Sequence, residues 1–127
     1  MLDTKRANES VTRLFKAVFP DSTNHYDTLF GGTAMYLMDE VAFMTATRYS
    51  RQKMVTVSSS EIDFRKSIAA GTIIELVGEV ISVGNTSLKV RVDIFVEQMY
   101  SHEREKAITG NFTLVAIDEQ KKAVKII

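Results

Sequence analysis

A single stretch of this chain has the apolar periodicity of a long helix, and that restricts how the rest can fold. Apolar and small residues recur at three- and four-residue spacing from Met35 to Tyr49, which places them on one helix face. Gly31 and Gly32 precede this pattern, which predicts a helix from about residue 33 to residue 49. Because this helix has an apolar face to bury, the strands must supply the surface that it packs against.

The other segments predict strands, one before the helix and four after it. They alternate polar and apolar residues or are rich in β-branched types, and turn formers separate them. The predicted strands span residues 10–18, 54–64, 72–83, 88–96 and 106–117. Consecutive strands with short connections favour an antiparallel sheet, so we predict an α+β protein with one helix packed on the sheet. The last seven residues are expected to form a loosely held tail.

The composition excludes several classes of protein. The 127 residues include no cysteine, which excludes disulfides, thiolate metal sites and a cysteine nucleophile. Lysine plus arginine number 16, as do aspartate plus glutamate, so no net charge attracts nucleic acid or a membrane. The N-terminus is charged where a signal peptide is apolar, and no uncharged stretch is long enough to span a bilayer. We expect one cytoplasmic domain over residues 1–127, with no nucleic-acid or membrane partner.

Several common catalytic motifs are missing from the sequence. It contains no nucleophile elbow, no phosphate-binding loop and no dinucleotide-binding motif. The two histidines, His25 and His102, lack the spacing of paired metal ligands, and His25 with Asp27 is more simply a turn. We therefore predict no metal site.

The predicted helix carries two adjacent acidic residues, Asp39 and Glu40, and no other charge lies between positions 30 and 47. Adjacent helical residues point about 100° apart, so the two carboxylates cannot face the same direction. Asp39 directly follows Met38, beside the apolar face, and is the candidate for chemistry. An exposed Asp–Glu pair on a solvated face is the alternative interpretation.

Two glycines and an asparagine precede the helix. Gly31 and Gly32 would let a ligand approach the first-turn N–H groups, whose partial positive charge stabilises negative charge developing on a carbonyl oxygen. Loop closure alone would also account for the glycines. Likewise, Asn24 has the sequence context of an ordinary turn residue.

Taken together, these motifs resemble those of the hotdog-fold acyl-CoA thioesterases, in the branch of the bacterial and brain-type acyl-CoA hydrolases. The matching residues are Pro20, Asn24-His25-Tyr26, Leu29-Phe30-Gly31-Gly32, Met38-Asp39-Glu40, VSSSEIDF at 57–64, Gly71, Gly84-Asn85-Thr86-Ser87 and FTLVAID at 112–118. The resemblance covers nearly the whole chain. It implies one long helix wrapped by a curved antiparallel sheet. It also implies homodimers, often three of them in a hexamer, with Asn24 and Asp39 of one active site supplied by different subunits; the sequence leaves dimer and hexamer open.

The resemblance further implies hydrolysis of acyl-CoA to a free acid and CoA. Asp39 is the candidate general base or nucleophile, Asn24 would orient the water or the carbonyl, and Gly31 and Gly32 would polarise the thioester oxygen. A thiol leaving group has a pKa of about 8.5 and departs without a strong acid, which fits the shortage of histidine. No cofactor is implied, because CoA is part of the substrate.

The same resemblance suggests which residues hold the two ends of the substrate. The candidates for CoA binding are Arg65 and Lys66, whose charge suits phosphates, and Gly84, Thr86 and Ser87, which offer backbone and hydroxyl groups. The candidates for contact with the acyl chain are Met35, Met38 and Phe43.

The sequence departs from the family pattern at two positions. Asp27 stands where the family usually has glycine, and Ser67 stands where it usually has proline. Asp27 supports an alternative function, a noncatalytic acyl-CoA-binding or sensing module on the same fold. A third possibility is a hotdog dehydratase, for which His25 is the only nearby acid–base residue.

Overall fold

The computed structural model describes all residues, 1–127. Its elements, in chain order, are α1 (Thr4–Glu9), β1 (Thr12–Ala17), a 3-10 turn (Pro20–Ser22), α2 (Gly31–Ser50), β2 (Lys53–Phe64), β3 (Thr72–Val83), β4 (Ser87–Gln98) and β5 (Arg104–Ile117). The α+β class and the order of one strand, one long helix and four strands are confirmed. No helix is both long enough and apolar enough to cross a membrane.

The five strands form one antiparallel sheet in the order β1-β3-β4-β5-β2. Alternate residues of the central strands point to one face, where Ile74, Leu76, Val90 and Val92 are fully buried. Strands β1 and β2 are the two edges. Each has one side whose backbone groups pair with no other strand of the chain, so both edges could accept a further strand.

Helix α2 lies across the inner face of this sheet and buries a continuous stripe of its residues. The buried positions are Ala34, Leu37, Met38, Val41, Ala42, Thr45, Ala46, Tyr49 and Ser50. The helix approaches β3 most closely at Gly78, where a Cβ would lie 2.3 Å from Thr45 Oγ1 and 2.8 Å from Val41 Cγ1. A side chain at Gly78 would therefore push the helix away from the sheet.

The structure departs from the sequence-based description at three places. The short helix α1 was not predicted, because it spans six residues and buries only Ala7, too little to produce a periodic pattern. Helix α2 begins two residues earlier than expected, so Gly31 and Gly32 lie inside it rather than before it.

The third departure is the C-terminal tail, which was expected to be loosely held. The N–H of Val124 donates to the carbonyl of Ala116, and the N–H of Ile126 donates to the carbonyl of Asn85. The side chain of Ile126 is buried, and Gln52 bonds the backbone of the last residues. The tail is held by partners remote in sequence, which no local pattern reveals.

Candidate active site

Asp39 lies on the side of α2 that faces the edge strand β2, not on the side that packs into the core. Its carboxylate is exposed, and its Oδ1 accepts a hydrogen bond of 2.7 Å from the Oγ1 of Thr56 on β2. The neighbouring Glu40 is also exposed and has no side-chain hydrogen bond or ion pair. The two carboxylates thus differ in their surroundings, because only Asp39 is held against the sheet.

Helix α2 and strand β2 form the two walls of an open groove of about 400 Å³ around Asp39. The groove is lined by Gly32, Met35, Tyr36, Asp39, Thr56, Val57, Ser58, Ser59 and Phe112. One wall is therefore helical and largely apolar, whereas the strand wall presents hydroxyl groups. A carboxylate beside a hydroxyl, in a groove open to solvent, can bind and activate a water molecule.

Gly31 and Gly32 occupy the first two positions of α2, where backbone N–H groups have no partner within the helix. Gly32 lines the groove of Asp39. Gly31 lines a second cavity, of about 250 Å³, together with Phe64 and Ile68. The two glycines therefore face different cavities, and only Gly32 shares one with Asp39.

Asn24 lies in the loop before α2 and organises that loop. Its Oδ1 accepts hydrogen bonds from the N–H of Tyr26 at 2.9 Å, and from the N–H and the hydroxyl of Thr28 at 3.2 and 3.1 Å. Its side-chain NH₂ has no partner within the chain, and the residue lines neither of the two cavities. One protomer does not bring Asn24 and Asp39 into a common cavity.

Asp27, in the same loop, adopts the left-handed conformation with φ of 61°. Its N–H donates to the carbonyl of Asn24, and its own carbonyl accepts from the N–H of Ala70. The chain thus keeps a backbone geometry that suits glycine, although Asp27 is exposed and carries a charge. Ser67, the other departure, lines the cavity of Gly31.

The predicted CoA-binding residues lie at opposite ends of α2. Near its N-terminus, Arg65 pairs with Asp63 at 3.0 Å, and Lys66, which lies 3.9 Å from Glu105, lines the cavity of Gly31. Gly84 and Thr86 lie in the β3–β4 turn and Ser87 begins β4, and Gly84 shares a cavity with Tyr49 near the helix C-terminus. A helix of 20 residues is about 30 Å long, so one protomer does not unite these residues.

Thr56 is a site residue that the sequence did not indicate. It precedes the VSSSEIDF segment by one position and reads as one polar residue in an alternating strand. Its importance comes from the pairing of β2 with β5, which sets Thr56 beside the helix. Only the tertiary structure contains that information.

Comparison with known proteins agrees with this architecture. Residues 26–101 match the family model of the thioesterase superfamily. An uncharacterized acyl-CoA thioester hydrolase of Bacillus subtilis is 36% identical over 124 residues, which cover 98% of this chain and 72% of that protein. The acyl-CoA hydrolase of Staphylococcus aureus, solved with butyryl-CoA and CoA, superimposes with a TM-score of 0.90 at 34% identity, covering 94% of this chain and 73% of that one. The structure of a hexameric acyl-CoA thioesterase superimposes with a TM-score of 0.91 at 33% identity, covering 94% of this chain and 77% of that one.

Structures of three alanine variants of the Staphylococcus aureus enzyme also superimpose with TM-scores of 0.90. The substituted residues are an asparagine, an aspartate and a threonine, in that order, at separations of 15 and 17 residues. Asn24, Asp39 and Thr56 have the same types, order and separations. The hotdog fold is confirmed, and the chain belongs to the thioesterase superfamily, among its acyl-CoA thioester hydrolases.

Proposed function

We propose that this protein hydrolyses acyl-CoA thioesters in the groove between α2 and β2, with Asp39 as the reacting carboxylate. The observation that carries the proposal is the Asp39–Thr56 hydrogen bond inside that groove. The Thr56 hydroxyl occupies Oδ1 and leaves Oδ2 free for a water molecule or for the substrate. A fixed carboxylate orientation favours reaction, because less freedom is lost when the transition state forms.

In the proposed mechanism, Asp39 takes a proton from water while the water oxygen attacks the thioester carbon. The carbonyl oxygen becomes negative, and the first-turn N–H of Gly32, which lines the same groove, would stabilise it. The tetrahedral intermediate then releases the thiolate of CoA, which needs no strong acid. Direct attack by the Asp39 carboxylate, followed by hydrolysis of the anhydride, is the alternative route. Neither route requires a cofactor.

The complete site, in this proposal, needs a second copy of the chain. Strand β2 is an edge of the sheet with one unpaired side, and exposed apolar residues lie on it or beside it, among them Met35, Tyr36, Phe43 and Val57. Such an edge and such a patch are typical of surfaces that other chains cover. Pairing through β2 would bring the free NH₂ of Asn24 from one protomer towards Asp39 of the other. It would also let Arg65 and Lys66 share one CoA with the Gly84–Ser87 turn of the second protomer.

Hexamers among the structural neighbours support a larger assembly of three such dimers. An assembly with closed symmetry buries the β2 edge of every protomer, so no strand remains available for further pairing. Sedimentation of the purified chain would give dimers or hexamers according to this proposal, and a monomeric active enzyme would contradict it.

The test of the reaction compares Asp39→Asn with Glu40→Gln. Both substitutions remove one exposed carboxylate from the same turn of α2, but only Asp39 lines the groove. Thiol release from acyl-CoA should fall by about a hundredfold to ten-thousandfold in Asp39→Asn, with CoA binding retained. Glu40→Gln should keep wild-type turnover.

Two outcomes would contradict the proposal. Undiminished turnover in Asp39→Asn would assign hydrolysis to other residues. A wild-type protein that binds acyl-CoA without releasing thiol would instead be the noncatalytic binding module that Asp27 suggested.

A further inference from the structure

The groove of Asp39 does not end at the reacting carboxylate but is followed along the same two elements by another cavity. This distal cavity, of about 450 Å³, is lined by Phe43, Thr47, Arg51, Gln52, Lys53 and Met54. On α2 it begins four residues after Asp39, and on β2 it ends two residues before Thr56. The proposed site and the distal cavity thus lie one after the other between the same helix and the same strand.

Phe43 is the first side chain of the distal cavity. Residues four apart lie above one another on a helix, so Phe43 stands on the same face as Asp39, about 6 Å along the axis. Phe43 is 47% exposed and lines the distal cavity. A large apolar side chain therefore lies one helical turn from the reacting carboxylate, at the start of the distal cavity.

The polarity of the two directions away from Asp39 decides which part of the substrate lies at Phe43. Towards the N-terminus of α2 lie the N–H groups of Gly31 and Gly32 and the ammonium of Lys66, which suit a carbonyl oxygen and phosphates, beside apolar residues such as Phe64. Towards the C-terminus, the first groups met are the apolar side chains of Phe43 and Met54, and the cations Arg51 and Lys53 line the part of the distal cavity farthest along the chain from Asp39 and Thr56. The acyl chain fits the second direction.

Met38, one of the three residues that the sequence suggested for acyl contact, is excluded by its position. It is completely buried under the sheet, and its Cε lies 3.2 Å from where a Cβ on Gly110 would be. Met35 lines the groove of Asp39, and Phe43 lines the distal cavity. Of the three candidates for acyl contact, only Met35 and Phe43 line a cavity and can touch a substrate.

We infer that the groove and the distal cavity form one channel for the acyl chain and that Phe43 limits the length of the chain that this enzyme accepts, an inference that rests on the proposed function of the groove. The 6 Å between Asp39 and Phe43 along the helix accommodates roughly four to six carbons of an extended chain. Shorter acyl groups fit before the ring, and longer ones have to displace it to reach the distal cavity. The substrates of this chain are accordingly short acyl-CoAs.

The experiment measures kcat/KM for acyl-CoAs from two to fourteen carbons with wild type, Phe43→Ala and Phe43→Trp. Each methylene that newly gains burial contributes about a fourfold increase, so opening the channel by two or three methylenes should raise the ratio of dodecanoyl to butyryl turnover by more than about tenfold. Phe43→Trp should shift the optimum towards shorter chains. Phe15→Ala is the matched control, because Phe15 is 60% exposed on β1, at the opposite edge of the sheet.

Tyr36→Ala tests the alternative in which the acyl chain extends from Asp39 towards the N-terminus of α2, since Tyr36 lines the groove on that side. A chain-length shift in Tyr36→Ala and none in the Phe43 variants would overturn the inference, and so would an unchanged profile in all three. In both cases wild-type hydrolysis would continue, and the proposed function would stand. A wild type that hydrolyses no acyl-CoA of any length would overturn the proposed function and the inference together.

Discussion

The two long sides of helix α2 differ in how completely the chain covers them. On the side facing β3, the missing side chain of Gly78 allows the helix to pack so closely that a Cβ would not fit, and the surrounding side chains are buried. On the side facing β2, two successive cavities separate helix and strand, and Met35, Tyr36 and Phe43 are exposed. One side stabilises the fold within a single chain. The other side is open, and in the proposed function it receives the substrate and a second protomer.

The packed side should be the most sensitive to added volume. Gly78→Ala places a methyl group 2.3 Å from Thr45 Oγ1, so the helix or the strand must move. We expect a loss of about 2–3 kcal/mol in the free energy of unfolding, measured by denaturant titration. Gly32→Ala is the control, because a Cβ there meets no atom within 4 Å, and it should cost no stability. Equal losses in both variants would remove the distinction between the two sides.

The open side should respond in activity more than in stability. Thr56→Val keeps the shape of the side chain but removes the hydroxyl that holds Asp39. We expect kcat to fall by about tenfold to a hundredfold with little change in KM, because only the orientation of the carboxylate is lost. The free energy of unfolding should fall by less than about 1 kcal/mol, since the bond is exposed.

A matched control for that variant is Thr113→Val. Thr113 pairs with Ser58 across β5 and β2, and its hydroxyl makes no hydrogen bond within the chain. Turnover should stay at the wild-type level. A similar loss of kcat in both variants would show that Thr56 acts through the strand and not through Asp39.

The smallest expected effect concerns the loop that carries Asn24. Asp27→Gly relieves the left-handed conformation of Asp27, and we expect a gain of about 0.5–1 kcal/mol in the free energy of unfolding. Removing its charge should also lower KM for acyl-CoA, whose phosphates are negative. Lys121→Gly, at a φ of 64° in the C-terminal turn, should give a similar gain without a change in KM. A raised KM in Asp27→Gly would contradict this view of Asp27.

The sequence predicted the packed side better than the open side, for physical reasons. Helical periodicity and strand alternation are produced by burial against a core, so α2 and the strands β2 to β5 could be located from the pattern alone. Asp39 could be singled out as a charge beside an apolar face. Its hydroxyl partner could not, because the contact between Thr56 and Asp39 depends on strand order, which alternation does not encode.

The structure at the two ends of the chain could not be predicted, because neither end has a local pattern that reports its burial. Ile126 is buried through bonds to residues more than forty positions away, and α1 is too short to show a period. The predicted CoA residues illustrate a further limit. Lys66 and Gly84 are placed at opposite ends of one helix, and a sequence cannot say whether two protomers bring them together.

The most direct test of the central claim, that two protomers share each active site, is to mix two inactive variants. In a dimer of Asn24→Ala with Asp39→Asn, one of the two sites combines an intact Asn24 from one chain with an intact Asp39 from the other. Random mixing makes half of the dimers mixed, so about a quarter of wild-type thiol release should return. If each site instead lay within one chain, every site would lack one residue, and the mixture would remain as inactive as its two components.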